Sequence, residues 1–231
     1  ETDFIKRVIG IGGDRVACCD EQGRITVNGV SIDEPYVRSG DVPSEIAFDV
    51  IVPEHPGFGG SDMPDWLDNV GDLAYFYLDF IDTLKLKAVN LAGVSLGGWI
   101  GAEIAVRDDS ALKTLTLIAP AGIHVKGVAK GEIFMWSREE MTRNLFHDPA
   151  FAGAALAIPP SEAEQFNEMK NRLATAKLGW QPRLYNPDLY KWLHRIKTPT
   201  LIVFGDDDKV IPHAYGPAFR TLIPGSRLEV I

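Results

Sequence analysis

The stretch that decides the fold is residues 89–98, which read VNLAGVSLGG. A short apolar run comes first, a G-x-S-x-G pentapeptide follows, and residues 99–102 (WIGA) continue as a helix. This order predicts a sharp strand-to-helix bend that presents Ser95 as a candidate nucleophile. We expect Gly93 and Gly97 to lie where a side chain would collide with neighbouring backbone.

The helix that begins after Ser95 is expected to direct its free N–H groups towards the bend, where they can receive a developing oxyanion. The pentapeptide alone is a weak signal, and an ordinary glycine-rich turn is the alternative. The strand before it and the helix after it favour the catalytic interpretation.

Two further stretches accompany the bend in a fixed order. Residues 48–62 (FDVIVPEHPGFGGSD) precede it, and residues 200–212 (TLIVFGDDDKVIP) follow it. Together the three stretches resemble the α/β-hydrolase superfamily, with its P-G-F-G-x-S loop, nucleophile elbow and G-x-x-D-x-x-x-P acid turn. The resemblance covers about residues 48–231. It implies that the Leu96 N–H stabilises the oxyanion and that Asp208 orients a histidine base; a solvated acidic turn is the alternative for residues 206–208.

The base of this triad has no evident counterpart in the sequence. The superfamily places its histidine after one more strand, and residues 227–231 read as that strand, on which the sequence ends. None of the five histidines occupies the expected place. His55 follows a strand at the catalytic edge and is the candidate substitute base, whereas the other four are expected to face solvent or pack. Impaired catalysis is therefore expected.

The first part of the chain resembles a different family. Residues 3–50 contain FIKRVIGIGGD and VNGVSIDEPY, which resemble motifs of bacterial type I signal peptidases. By that likeness Lys6 occupies the position of the general-base lysine. The family's serine precedes this lysine beside a membrane anchor, and neither is expected here, so Lys6 also reads as a solvated strand lysine. We therefore predict a chimera, with a peptidase-like β segment at residues 1–50 and a hydrolase core at residues 51–231.

The order of elements predicts an α/β fold. Strands alternate with helices from residue 65 onwards, which favours a parallel sheet flanked by helices, here a partial α/β-hydrolase sheet. Residues 4–37 alternate as short antiparallel strands with a turn at Asn28-Gly29. A mostly helical cap is predicted at about residues 123–197. Trp136 and Trp180 of this cap are the candidate pocket residues, although packing is the commoner role of such side chains.

Composition narrows the class of partner. The net charge of −9 argues against nucleic acid or an anionic membrane surface as the main partner, and no transmembrane segment is predicted. No nucleotide-binding motif or zinc pattern is present, so no cofactor is expected. The adjacent Cys18 and Cys19 fit a reducing, cytoplasmic compartment. An open sheet edge would favour a homodimer.

These observations together predict a serine hydrolase. Its substrate would be a small, mainly apolar ester or the carbon–carbon bond of a ring-cleavage product. One alternative is a non-catalytic chimera or binding module, and a second is a signal-peptidase-like serine peptidase.

Overall fold

The computed structural model of the protein describes residues 15–18, 20–21, 24–31 and 48–231. Lys6, and with it the predicted peptidase-like lysine, lies outside the described residues. Contacts divide the chain into two compact units, residues 1–63 and residues 64–231, whereas the sequence predicts a boundary at residue 50. In the described part of the chain, no helix is long and apolar enough to cross a membrane.

The first unit holds an antiparallel sheet in the strand order β3-β2-β1-β4. Its strands are β1 (Arg15–Cys18), β2 (Ile25–Val27), β3 (Val30–Ser31) and β4 (Phe48–Ile51). Asn28 and Gly29 connect β2 to β3 with φ values of +52° and +79°, the left-handed pair that a tight hairpin turn requires. The predicted Asn28-Gly29 turn is confirmed.

The second unit holds a parallel sheet in the order β5-β6-β7-β8. Its strands are β5 (Val89–Val94), β6 (Leu112–Ile118), β7 (Thr200–Phe204) and β8 (Arg227–Val230). Helices flank it at α1 (Val70–Thr83), α2 (Leu96–Arg107) and α6 (Tyr215–Leu222). The predicted α/β fold with a parallel sheet and an N-terminal antiparallel segment is therefore confirmed. Strand β4 belongs to the antiparallel sheet, because it pairs with β1.

Helix α1 is amphipathic, as its three- and four-residue apolar spacing predicts. It begins at a capping box, in which the Asn69 side chain accepts from the Asp72 N–H and the Asp72 carboxylate accepts from the Asn69 N–H. Its buried face includes Val70, Leu73 and Ile81.

Helix α2 is buried along most of its length, from Gly98 to Val106. The helix packs closely beside β5 and β6: a Cβ on Gly98 would lie 2.9 Å from Pro120, and a Cβ on Gly101 would make ordinary van der Waals contact with leucine side chains of both strands. The helix that follows Ser95 is therefore held firmly against the sheet.

The predicted cap is helical. Its helices are α3 (Arg138–Leu145), α4 (Pro149–Ala157) and α5 (Glu162–Gly179), followed by two short 3-10 turns (Leu189–Lys191 and Leu193–Arg195). Capping boxes start α3 and α5, at Ser137 and Ser161. Several large cap side chains face solvent, and Phe151 is 63% exposed.

Candidate active site

Ser95 occupies the bend between β5 and α2. Its φ of +52° and ψ of −109° are strained for any residue with a side chain, and such strain persists only where the surroundings impose it. Here the Ser95 N–H donates to the Ile118 carbonyl (2.9 Å), and the Ser95 carbonyl accepts from the N–H groups of Trp99 (3.0 Å) and Ala121 (3.1 Å). The structure thus presents the sharp bend that the sequence predicts.

The glycines around Ser95 have different roles. A Cβ on Gly93 would lie 2.2 Å from the Gly97 carbonyl oxygen, so only glycine fits there. A Cβ on Gly97 would meet nothing within 4 Å, which makes the predicted collision at this position wrong. The second crowded position is Gly98, where a Cβ would lie 2.9 Å from Pro120. The helix turns so that Gly98 faces the sheet and Gly97 faces away from it.

Leu96 is the first residue of α2, a helix of 12 residues. The first four N–H groups of a helix have no acceptor within that helix. The Leu96 N–H is therefore placed next to the Ser95 side chain with the positive end of the helix dipole behind it. This is the geometry that an oxyanion donor needs, and the role of Leu96 stays a prediction.

Asp208 lies in the turn after β7 and is half-buried, while Asp206 and Asp207 are exposed. One oxygen of its carboxylate accepts from the N–H groups of Val210 and Ile211, both at 2.8 Å. β7 lies two strands from β5 in the same parallel sheet, roughly 10 Å away at the usual strand spacing. Ser95 and Asp208 therefore follow the carboxyl ends of strands at one edge of this sheet.

Four histidines of the second unit have other surroundings. His147 Nδ1 lies 2.9 Å from an Asp207 carboxylate oxygen, and His213 Nδ1 lies 2.8 Å from the Asp206 carbonyl. The His124 ring packs at a tilt of 32° against the Tyr185 ring, with the ring centroids 5.3 Å apart, and His194 is exposed. Within residues 64–231, no histidine forms a hydrogen bond with Asp208 or Ser95.

His55 belongs to the first unit. It lies in a compact turn in which the Phe58 N–H donates to the His55 carbonyl (2.9 Å), and the two rings meet edge to face at 5.7 Å. Burial lowers the pKa of His55, because the charged ring loses hydration. A neutral imidazole is the form that accepts a proton. Its role as substitute base stays a prediction.

The two tryptophans of the cap pack against neighbouring cap residues. Trp180 meets Phe134 edge to face at 5.3 Å and carries the Arg183 guanidinium over its ring at 4.2 Å, yet it is 45% exposed. Trp136 is half-buried, with its ring against Gly131. Neither lines the two described cavities of the cap. Their role as pocket residues therefore stays a prediction.

One of these cavities, of about 360 Å³, is lined by Lys130, His124, Tyr185 and Tyr215, but not by Ser95 or Asp208. The Lys130 ammonium donates to the carbonyls of Ile123, Arg183 and Leu184. Burial lowers the pKa of Lys130 to about 8. With its donors directed at backbone carbonyls, Lys130 joins two cap segments.

Glu103 is a residue of the site region that the sequence did not predict, and it is nearly inaccessible on the helix that follows Ser95. Charged residues are almost never fully buried unless they are paired. The signal was present, since Glu103 is the single charged residue in an otherwise small and apolar stretch from residue 96 to residue 106.

The sequence is also similar to those of known proteins. The family model described as alpha/beta hydrolase fold matches residues 31–231. The chain is 30% identical over 207 residues to a poly(3-hydroxyalkanoate) depolymerase of Ectopseudomonas oleovorans, which spans 85% of the chain and 70% of that relative. It is 26% identical over 196 residues to a 2-hydroxy-6-oxo-2,4-heptadienoate hydrolase of Pseudomonas putida, which spans 78% of the chain and 69% of that relative.

A solved structure shares the fold. The meta-cleavage product hydrolase of Pseudomonas fluorescens IP01 superposes with a TM-score of 0.60 at 22% identity, over 80% of this chain and 71% of its own. A short match of another kind also exists. Over 48 residues, 21% of this chain, the sequence is 42% identical to a probable signal peptidase I of Mycobacterium leprae, of which the match covers 16%.

Proposed function

The chain belongs to the alpha/beta hydrolase family, and on that premise we propose that it is a serine hydrolase acting on a small, mainly apolar ester. The observation that carries the proposal is the strained backbone of Ser95 at the start of a buried helix. Such strain is characteristic of functional sites, where the surrounding packing maintains it.

In the proposed reaction the Ser95 hydroxyl oxygen forms a bond to the ester carbonyl carbon, while its proton passes to a base. The carbonyl oxygen becomes an oxyanion that accepts from the Leu96 N–H. The carbon–oxygen bond of the ester then breaks, the alcohol leaves with the proton, and an acyl group stays on Ser95. In the second half of the reaction water adds to the acyl carbon and gives a proton to the base. The bond from that carbon to the Ser95 oxygen then breaks, the carboxylic acid leaves, and the base returns the proton to Ser95.

Asp208 is the proposed carboxylate that orients and stabilises a protonated histidine. Two N–H donors hold one of its oxygens, which fixes the direction of the other. For residues 1–231 we infer slow turnover, because the four histidines of the second unit form no hydrogen bond with Asp208. Loss of the base in related triads removes several orders of magnitude in rate. His55 remains the candidate substitute.

A second candidate reaction is hydrolysis of a carbon–carbon bond in a ring-cleavage product. The similarity to the 2-hydroxy-6-oxo-2,4-heptadienoate hydrolase favours it, whereas the similarity to the depolymerase favours ester cleavage. Following the absorbance of such a dienoate beside ester hydrolysis separates the two. Loss of the dienoate absorbance with no ester cleavage would favour the second reaction.

The chimera proposal has separate support in the short signal-peptidase match. The family model nevertheless begins at residue 31, inside the segment that resembles the peptidase. A non-catalytic chimera or binding module remains the alternative function, and a Lys6-dependent peptidase is the second alternative. Peptide mapping of the protein from its source tests the chimera; an uninterrupted hydrolase sequence before residue 48 would contradict it.

The decisive experiment measures the pre-steady-state release of nitrophenolate from p-nitrophenyl butyrate. We expect a burst approaching one equivalent of enzyme and an acylated Ser95 peptide by mass spectrometry. Imidazole, added as an external base, should raise the later turnover rate. Ser95→Ala should abolish the burst and reduce the effect of imidazole to the rate at which imidazole alone cleaves the ester, while Ser110→Ala, at an exposed serine, should retain both effects. An equal burst from Ser95→Ala would refute the assignment.

A further inference from the structure

Glu103 is a buried carboxylate that the proposed reaction does not use. Its side chain is 2% exposed, yet each oxygen has a donor. Oε1 accepts from the Trp99 indole N–H (3.0 Å) and from the Asn186 side-chain amide (2.9 Å), and Oε2 pairs with the Arg107 guanidinium. Charge-assisted hydrogen bonds of this kind are about twice as strong as neutral ones.

Trp99, whose side chain is the first of these donors, is also hydrogen-bonded through its backbone to Ser95. The Trp99 N–H donates to the Ser95 carbonyl (3.0 Å), which also accepts from the Ala121 N–H (3.1 Å). The indole of Trp99 packs on Gly122, where a Cβ would lie only 2.6 Å from the ring. Glu103 therefore holds the Trp99 side chain, and the Trp99 backbone N–H holds the bend at Ser95.

The second donor comes from the far end of the cap. Asn186 follows α5 by seven residues, and its N–H donates to the Gly122 carbonyl (3.0 Å). The Gly122 N–H in turn donates to the Leu184 carbonyl (3.0 Å). The segment that returns from the cap is thus bonded twice to the loop beside Ser95 and once to Glu103.

We infer that Glu103 is a positioning residue, which ties the segment returning from the cap to the backbone that holds Ser95. The inference rests on the proposed function of Ser95. Removing a hydrogen-bond donor from a buried carboxylate is strongly destabilising, because the charge stays desolvated and loses part of its compensation. Loss of the Asn186 donor should therefore shift Trp99 and Arg107 together, and the displacement should reach the Ser95 carbonyl through Trp99.

The test compares two variants that each remove one hydrogen bond between the cap and the rest of the second unit. Asn186→Asp removes the donor to Glu103 while keeping the oxygen that accepts from the Asp188 N–H. Tyr215→Phe removes the hydroxyl that donates to the Val128 carbonyl (2.9 Å), which has no contact with Glu103. Asn186→Ala serves as a second variant, since it introduces no new charge.

Two readouts are followed: the rate of Ser95 acylation by p-nitrophenyl butyrate, and hydrogen–deuterium exchange of peptides containing Trp99 and Ala121. We expect Asn186→Ala to slow acylation about tenfold, which corresponds to the loss of one hydrogen bond to a charged group if the whole loss reaches the transition state. Asn186→Asp should slow it further, because its carboxylate also repels that of Glu103. Exchange at Trp99 and Ala121 should become faster in these variants. Tyr215→Phe should change neither the acylation rate nor the exchange at Trp99 and Ala121.

Equal acylation rates and equal exchange in the Asn186 and Tyr215 variants would overturn the inference. Failure of the proposed function has a different signature, since Ser95→Ala would then match the unaltered protein in the ester assay. In that case faster exchange at Trp99 and Ala121 in the Asn186 variants would still establish the link from Glu103 to the Ser95 backbone, and unchanged exchange would reject it.

Discussion

Replacement of Gly93 by alanine would put a methyl group 2.2 Å from the Gly97 carbonyl oxygen and 2.7 Å from the Gly98 nitrogen. Both contacts are with backbone atoms, so no side chain can rotate away. The bend must open, or α2 must move from a sheet against which it is buried. We expect a loss of about 1–3 kcal/mol or more in the free energy of unfolding, the cost of an overpacked site.

Gly97→Ala is the matched control, since it lies four residues further along in the same pentapeptide. Its Cβ would meet nothing within 4 Å, and alanine favours a helix over glycine by roughly 0.5–1 kcal/mol. The two variants should therefore change stability in opposite directions. For a chain of this size about 1 kcal/mol corresponds to roughly 2–4 °C in the melting temperature.

Thermal unfolding followed by circular dichroism measures both shifts, and urea unfolding checks their size. The ester burst should also vanish in Gly93→Ala, because the Ser95 hydroxyl moves with the bend. The reasoning fails if Gly93→Ala melts at the temperature of the unaltered protein, or if Gly97→Ala is as destabilising as Gly93→Ala.

Three further predictions concern the second unit. The depressed pKa of Lys130, about 8, means that the unfolded chain binds more protons than the folded one between about pH 8 and pH 10. Lys130 therefore makes the free energy of unfolding rise with pH across that window, and Lys130→Met should flatten the rise in urea titrations; identical slopes would contradict this. Asn69→Ala should cost about 1 kcal/mol through the lost cap of α1, whereas Asn69→Ser should restore most of it in the same titration. Asp208→Asn keeps an oxygen for its two N–H donors, so the melting temperature should change little while rescue by imidazole weakens; undiminished rescue would exclude Asp208 as the orienting acid.

Features built from neighbouring residues could be predicted from the sequence. The bend at Ser95, the Asn28-Gly29 turn and the acid turn at Asp208 each depend on a few backbone torsions and on one or two residue types. In strand β6 (LKTLTLI), Leu115 and Leu117 are buried and alternate with threonines, which is the period-two pattern that indicates a strand from sequence. Gly97 shows the limit of such reasoning. Both glycines of the pentapeptide look equivalent in sequence, and only the direction in which α2 turns distinguishes them.

The sequence by itself determined which residues form the elbow, because strand, turn and helix propensities act over a few positions. Hydrogen bonds with Ile118 and Ala121 then hold the strained backbone of Ser95. Only the tertiary structure decided what surrounds them. It paired β4 with β1 in an antiparallel sheet, directed His147 and His213 to other acceptors, and brought Asn186 to Glu103 across 83 residues of sequence. Contacts of that kind join residues that are far apart in sequence, so they depend on how the whole chain packs.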